Sequence, residues 1–210
     1  MRGLHALGLG AATATVALAF ATRGRRVQAM DDAVERAIGP RRPRLRARAR
    51  LATLPGERFG HPVIGAAVVI AVLARRGGPA SRVVVPVACA SLGAITAHFS
   101  VKFFYRRPRP RIALARGKTE PAYPSGHTAD ATAVLLTGAY LLAREGLVAP
   151  RIGFPVAGAL AACTGWSRVA LGWHWSSDVA GGWLAGLGVA AWCMAEYERR
   201  LTASTFPQVT

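Results

Sequence analysis

Apolar residues run along the chain in blocks, and the basic residues fall between them. Six blocks stand out: Leu4–Thr22, Phe59–Ala74, Val83–Phe104, about Gly126 to Ala143, Ile152 to about Thr164, and Val179–Met194. At about 1.5 Å of rise per residue, most are long enough to cross the hydrocarbon layer of a bilayer as helices. The Phe59 and Ile152 blocks are the short ones; Arg75 and Arg76 can snorkel from the end of the former. The pattern predicts an all-α, six-span transmembrane bundle forming one domain over residues 1–210. Small residues such as Gly181, Gly182, Gly186 and Gly188 suit close helix packing in lipid.

Segments outside the blocks carry less pattern. Ala19-Phe20-Ala21 resembles a signal-peptide cleavage site, but Arg23, Arg25 and Arg26 follow at once and resist export of that flank. The first block is therefore read as a retained span. Residues 23–58 form an Arg-rich connector, either a solvated basic loop or a pair of interfacial segments on anionic headgroups. Within it, Met30–Ile38 reads as a short helix stopped by Gly39-Pro40, with Asp31, Asp32 and Glu35 on its solvated face. The tail from about 201 to 210 reads as loosely ordered.

Charge sharpens this picture. The 210 residues hold 27 Lys and Arg against 10 acids, a formal charge of +17, with 52% hydrophobic residues. A basic nucleic-acid-binding domain would mix its Arg with polar residues on a soluble fold, so no nucleic-acid partner is expected. Cys89, Cys163 and Cys193 lie in apolar stretches and read as reduced, buried thiols.

Three polar clusters sit at block ends. Lys102-Phe-Phe-Tyr-Arg-Arg-Pro-Arg109-Pro110 closes the third block, and Pro124-Ser125-Gly126-His127 opens the fourth. Ser167-Arg168-Val-Ala-Leu-Gly-Trp-His174-Trp-Ser-Ser-Asp178 lies between the fifth and sixth. If the spans alternate in direction, all three meet at one membrane face. Lys102, Arg109 and Arg168 would bring three cations together there, which calls for an anion, and Arg suits phosphate oxygens. Ser125-Gly126 starts a helix, where free N–H groups also favour phosphate. His174 and Asp178, four apart, are neighbours on a helical face. A carboxylate on one ring nitrogen fixes the tautomer and leaves the other free to attack. His127 can then protonate the departing alkoxide and later activate water.

These three motifs, K-x6-R-P, P-S-G-H and S-R-x5-H-x3-D, resemble the signature of the type 2 phosphatidic acid phosphatase (PAP2) superfamily, position for position and in order. The resemblance implies a PAP2/haloperoxidase-like helical bundle and a metal-independent phosphatase acting on lipid phosphates or diphosphates through a phosphohistidine, with no cofactor. It makes His174 the nucleophile, Asp178 its orienting partner and His127 the acid/base. Lys102, Arg109, Ser125, Gly126 and Arg168 become the phosphate ligands. The same signature occurs in vanadium haloperoxidases, which are soluble and longer, and a non-catalytic lipid-phosphate-binding membrane protein is a further alternative.

Other polar residues rank behind these. His98, one turn before Lys102, and Asp130, three residues after His127, are ionisable groups inside spans and hence secondary site candidates. Arg106, Arg107 and Arg111 read as interfacial or headgroup contacts, since only Arg109-Pro110 keeps the six-residue gap from Lys102. Glu120 and Tyr123 read as loop structure. Loops on the motif side hold 19 of the 27 Lys and Arg; without Lys102, Arg109 and Arg168 the balance is 16 against 8. The positive-inside rule then favours a cytoplasm-facing site in a bacterial plasma membrane.

Overall fold

A computed structural model describes residues 1–38, 43–76 and 79–205. Among the described residues the regular structure is entirely helical. In chain order the helices are α1 (Arg2–Ala21), α2 (Arg25–Ile38), α3 (Pro43–Ala52), a 3-10 turn (Leu54–Gly56), α4 (Gly60–Arg76), α5 (Ser81–Phe104), α6 (Arg111–Leu114), α7 (Gly126–Arg144), α8 (Pro150–Ala170) and α9 (Ser176–Thr205). Each of the six apolar blocks becomes one helix. α1, α5 and α9 are long and apolar enough to cross a membrane, and α4 is a shorter apolar helix.

α7 and α8 are less apolar for identifiable reasons. α7 is the central helix: it packs against α4, α5, α8 and α9, and nearly every side chain of its first three turns is buried. A helix surrounded by protein has no lipid to satisfy, so it tolerates Thr128, Asp130, Thr132 and Thr137. α8 is diluted by Gly153, Pro155, Gly158 and Gly165. The core is built from small side chains, Ala90, Ala94, Ala133 and Val134 among them, so the helix axes lie close. α9 closes the bundle by packing against both α7 and α1.

The connector differs from its sequence reading. α3 packs on α8, burying Ala49 against Ala170 and Leu171, so it is neither a solvated loop nor solely a headgroup contact. α2 begins at Arg25, earlier than expected, and turns Val27, Asp31, Val34, Glu35 and Ile38 towards the protein. Asp31 is 2% exposed, which overturns its assignment to a solvated face. The proposed Gly39-Pro40 stop lies outside the described residues. α9 continues as helix to Thr205, so the loose tail does not begin at 201; residues 206–210 are outside the described part. Cys193 is buried as expected, whereas Cys89 and Cys163 are exposed on the bundle surface.

Candidate active site

The site is assembled at one end of the bundle, where α5 and α8 finish and α4, α7 and α9 begin. A cavity of about 1100 Å³ opens there, and its lining includes Lys102, Arg109, Gly126, His127, Arg168 and His174. Three segments remote in sequence thus meet. The antiparallel run of the spans is the cause: each polar cluster sits at a helix end on the same face.

Local chemistry explains how each segment presents its groups. α5 ends at Phe104, after which Pro108 and Pro110 hold the chain extended. The loop is pinned by the Ala122 amide, which donates to the Arg107 carbonyl at 2.8 Å. α8 ends at Ala170, and Gly172 just beyond its Leu171 cap has a φ of +71°, the left-handed conformation that a C-terminal glycine supplies. That reversal lets the Trp173 amide donate back to the Arg168 carbonyl at 3.0 Å and swings His174 over the end of α8. Ser125 caps the start of α7 in an extended conformation, and its amide donates to the Asp178 carbonyl at 2.9 Å, tying the second motif to the third.

His174 is 3% exposed. It precedes α9 rather than sharing a helical face with Asp178, yet its Nδ1 lies 3.5 Å from Asp178 Oδ2. Its Nε2 faces the Arg109 guanidinium at 3.3 Å. Burial, together with the facing charges of Arg109, Arg168 and Lys102, holds its pKa well below the ordinary histidine value, so the ring is neutral. A neutral ring with Nδ1–H towards a carboxylate turns the Nε2 lone pair to the cavity side, where the Arg109 N–H donates to it.

The two arginines are held by hydrogen bonds. Arg109 donates through Nε to the Glu120 carbonyl at 2.8 Å and through Nη1 to the Trp173 carbonyl at 2.8 Å. Arg168, 2% exposed, donates to Thr53 Oγ1 at 2.6 Å and stacks on the Trp173 ring at 4.4 Å. Ser125 is fully buried, and its hydroxyl accepts from Thr128 at 2.9 Å. Gly126 carries no side chain where the His98 ring approaches; a Cβ there would lie 3.0 Å from that ring. His98 and Asp130 also line the cavity, 3.5 Å apart. They lie about a turn deeper in the bundle than Lys102 and His127.

Four residues of the site escaped the sequence reading. Glu57 reaches His127, with Oε1 3.4 Å from Nε2, and Thr53 holds Arg168. Arg107, read above as a headgroup contact, is 8% exposed and donates to Asp178 Oδ1 at 2.7 Å and to Asp31 Oδ2 at 2.7 Å. Asp31 is the fourth. Glu57, Thr53 and Asp31 lie in the connector, where no motif marks them; Asp31 alone carried a signal, as an acid in line with Val27, Val34 and Ile38 on a helix. Among the described residues no group of three or more His, Cys, Asp or Glu is placed to hold a metal ion.

Fold and site together define an integral membrane helical bundle with a strongly cationic cavity at one membrane face. The PAP2 superfamily profile matches residues 82–201, and the chain belongs to that superfamily. Among solved structures, the chain is similar to a transmembrane PAP2-type phosphatidylglycerolphosphate phosphatase from Bacillus subtilis. The two superpose with a TM-score of 0.79 at 23% identity, over 96% of this chain and 98% of that one, a likeness of fold. No curated protein matches the sequence.

Proposed function

We propose that this protein is a membrane phosphatase that removes the terminal phosphate of a lipid through a phosphohistidine on His174. The observation that carries the reading is the convergence of two histidines and three cations on one cavity that also touches the lipid-facing flank of α5. Phe99 and Phe103, 61% and 69% exposed, lie on that flank and line the same cavity as His174. A lipid can thus keep its tail in the bilayer while its phosphate sits among the cations.

In the proposed reaction Nε2 of His174 attacks phosphorus, and the bond to the lipid oxygen breaks. Asp178 stabilises the positive charge that develops on the ring, as a carboxylate beside Nδ1–H does. Lys102, Arg109, Arg168 and the first amides of α7 neutralise the equatorial oxygens. His127 donates a proton to the departing alkoxide, then takes one from the water that cleaves the phosphohistidine. Glu57 orients His127 for both transfers.

The substrate is a lipid monophosphate or diphosphate of the phosphatidate or prenyl type. The shared fold with a phosphatidylglycerolphosphate phosphatase is the reason to try that lipid first. Charge asymmetry between the loops supports a site facing the cytoplasm from a bacterial plasma membrane. The test is phosphate release by purified protein from phosphatidate, phosphatidylglycerophosphate, prenyl phosphates and prenyl diphosphates. The expected result is turnover of at least one lipid, lowered by at least about a thousandfold in His174→Ala, with an acid-labile phosphoenzyme in the wild type. Turnover that survives His174→Ala refutes the mechanism.

A further inference from the structure

The interfacial helix α2 contributes one side chain to the interior, and that side chain is saturated with hydrogen bonds from the segment bearing the nucleophile. Asp31 Oδ1 accepts from Ser176 Oγ at 2.6 Å and from the Ser177 amide at 2.8 Å. Its Oδ2 accepts from Ser177 Oγ at 2.6 Å and from Arg107 Nη2 at 2.7 Å. Arg107 in turn donates through Nη1 to Ser177 Oγ at 2.6 Å and to Asp178 Oδ1 at 2.7 Å. The Trp175 amide donates to Asp178 Oδ2 at 2.9 Å. Hydrogen bonds therefore link Asp31, Arg107 and Asp178, and Asp178 Oδ2 in turn lies 3.5 Å from His174 Nδ1, which has no other polar partner among the described residues.

Its logic is electrostatic. Arg107 between two carboxylates is a three-charge group with net charge −1, and Asp178 has surrendered Oδ1 to the guanidinium. Only Oδ2 is left to face His174 Nδ1. Without Asp31, Arg107 would have a single carboxylate partner and would bind Asp178 as a closed pair, free to rotate Oδ2 away from the imidazole. With Asp31, the guanidinium is pinned from its far side, and the turn at Ser176–Ser177 is fixed by the same carboxylate. Burial alone would raise the Asp31 pKa, but the hydrogen bonds from Ser176, Ser177 and Arg107 outweigh it and hold it below the usual carboxylate range. It is thus anionic throughout the neutral range.

We infer that Asp31 is a positioning residue for the proposed phosphohistidine chemistry, acting through Arg107 on the orientation of Asp178 and His174. This inference rests on the phosphatase reading and adds to it a part outside the superfamily-matched region 82–201. It gives the amphipathic helix α2 a direct hold on the nucleophile.

Steady-state kinetics of Asp31→Asn, Ser176→Ala, Arg107→Gln and the double variant Asp31→Asn/Arg107→Gln test it, alongside melting temperature in detergent and inhibition by vanadate. A mis-set nucleophile costs about 10- to 100-fold in kcat. The expected result for Asp31→Asn is that loss, with KM within about threefold of wild type, since the phosphate cradle is untouched, and with vanadate inhibition weakened in step with kcat, since vanadate completes its coordination on His174. Ser176→Ala, which removes one of four donors to Asp31 and no charge, is expected to lower kcat a few-fold. Adding Asp31→Asn to Arg107→Gln is expected to cost little more, because the two act along one chain. Unchanged kcat in folded Asp31→Asn, or full additivity in the double variant, overturns the role. Should Asp31→Asn not fold, wild-type kcat in Ser176→Ala overturns it instead. If the wild type releases no phosphate from any lipid tried, the phosphatase reading fails and this one with it. If the wild type turns over and the variants match it, only the role of Asp31 fails.

Discussion

His174 presents a nitrogen that burial and three facing cations keep unprotonated. Burial is the largest influence on its pKa and the Arg109 charge the next, and both act downward. Removing Arg109 therefore stabilises the imidazolium, and the acid limb of kcat/KM is expected to move to higher pH in Arg109→Gln. Comparing variant and wild type on one lipid phosphate cancels the substrate's own second ionisation, near pH 6. Superimposable limbs would show that His174 does not feel Arg109. At this scale the sequence was informative wherever spacing carried chemistry: Lys102, Arg109, His127, Arg168 and His174 meet around one cavity, and Ser125 lies buried beside it. It was silent on Arg107, because one Arg-Pro looks like another and the difference lies in two acids, 76 and 71 residues away, that turn towards one of them. Glu57 and Thr53 were equally hidden, since a contact between a loop and a distant helix end has no periodicity.

The helices were legible because each apolar block had to bury its backbone hydrogen bonds in a helix once in lipid. What periodicity could not say was which helix lies in the middle. α7 answers this by its small, partly polar surface, against which α9 rests glycines. A Cβ at Gly182 would lie 2.7 Å from the Ser125 carbonyl oxygen, and one at Gly186 would lie 2.6 Å from that of Ala129. Since Ser125 begins the helix that carries His127, this contact sets the distance between the second and third motifs. Gly186→Ala is expected to cost about 1–3 kcal/mol of stability and to lower activity with it. Gly158→Ala, where a Cβ meets nothing within 4 Å, serves as the control and is expected to be neutral or slightly stabilising. Melting temperature in detergent, read beside phosphate release, separates the two. Equal behaviour of the variants would mean that the α7–α9 contact does not limit stability. The connector was the harder case. Its Arg content masked two helices that dock on the bundle, α3 through Ala49 and α2 through Asp31.

On the scale of the molecule, the charge imbalance between the two ends makes a prediction about orientation. Even with the buried Arg107 set aside as well, the loops at the site end carry 15 Lys and Arg against 8 at the other. The orientation expected from this imbalance is a site facing the cytoplasm. Ala115, exposed beyond α6, is a suitable reporter. With the three native cysteines replaced, Ala115→Cys is expected to resist an impermeant thiol reagent in intact cells and to react after lysis. Labelling of intact cells would reverse the orientation.

α1 and α9, the first and last spans, lie side by side, and the Tyr123 hydroxyl reaches the Thr15 carbonyl at 2.6 Å across this seam. During synthesis α1 enters the bilayer long before α9 exists, and Asp178 and its Ser176–Ser177 turn arrive with α9. A chain that stops short of α9 therefore lacks both the seam and the carboxylate beside His174. A product arrested or truncated before α9 is thus expected to release no phosphate from the lipids around it, because it lacks Asp178 beside His174.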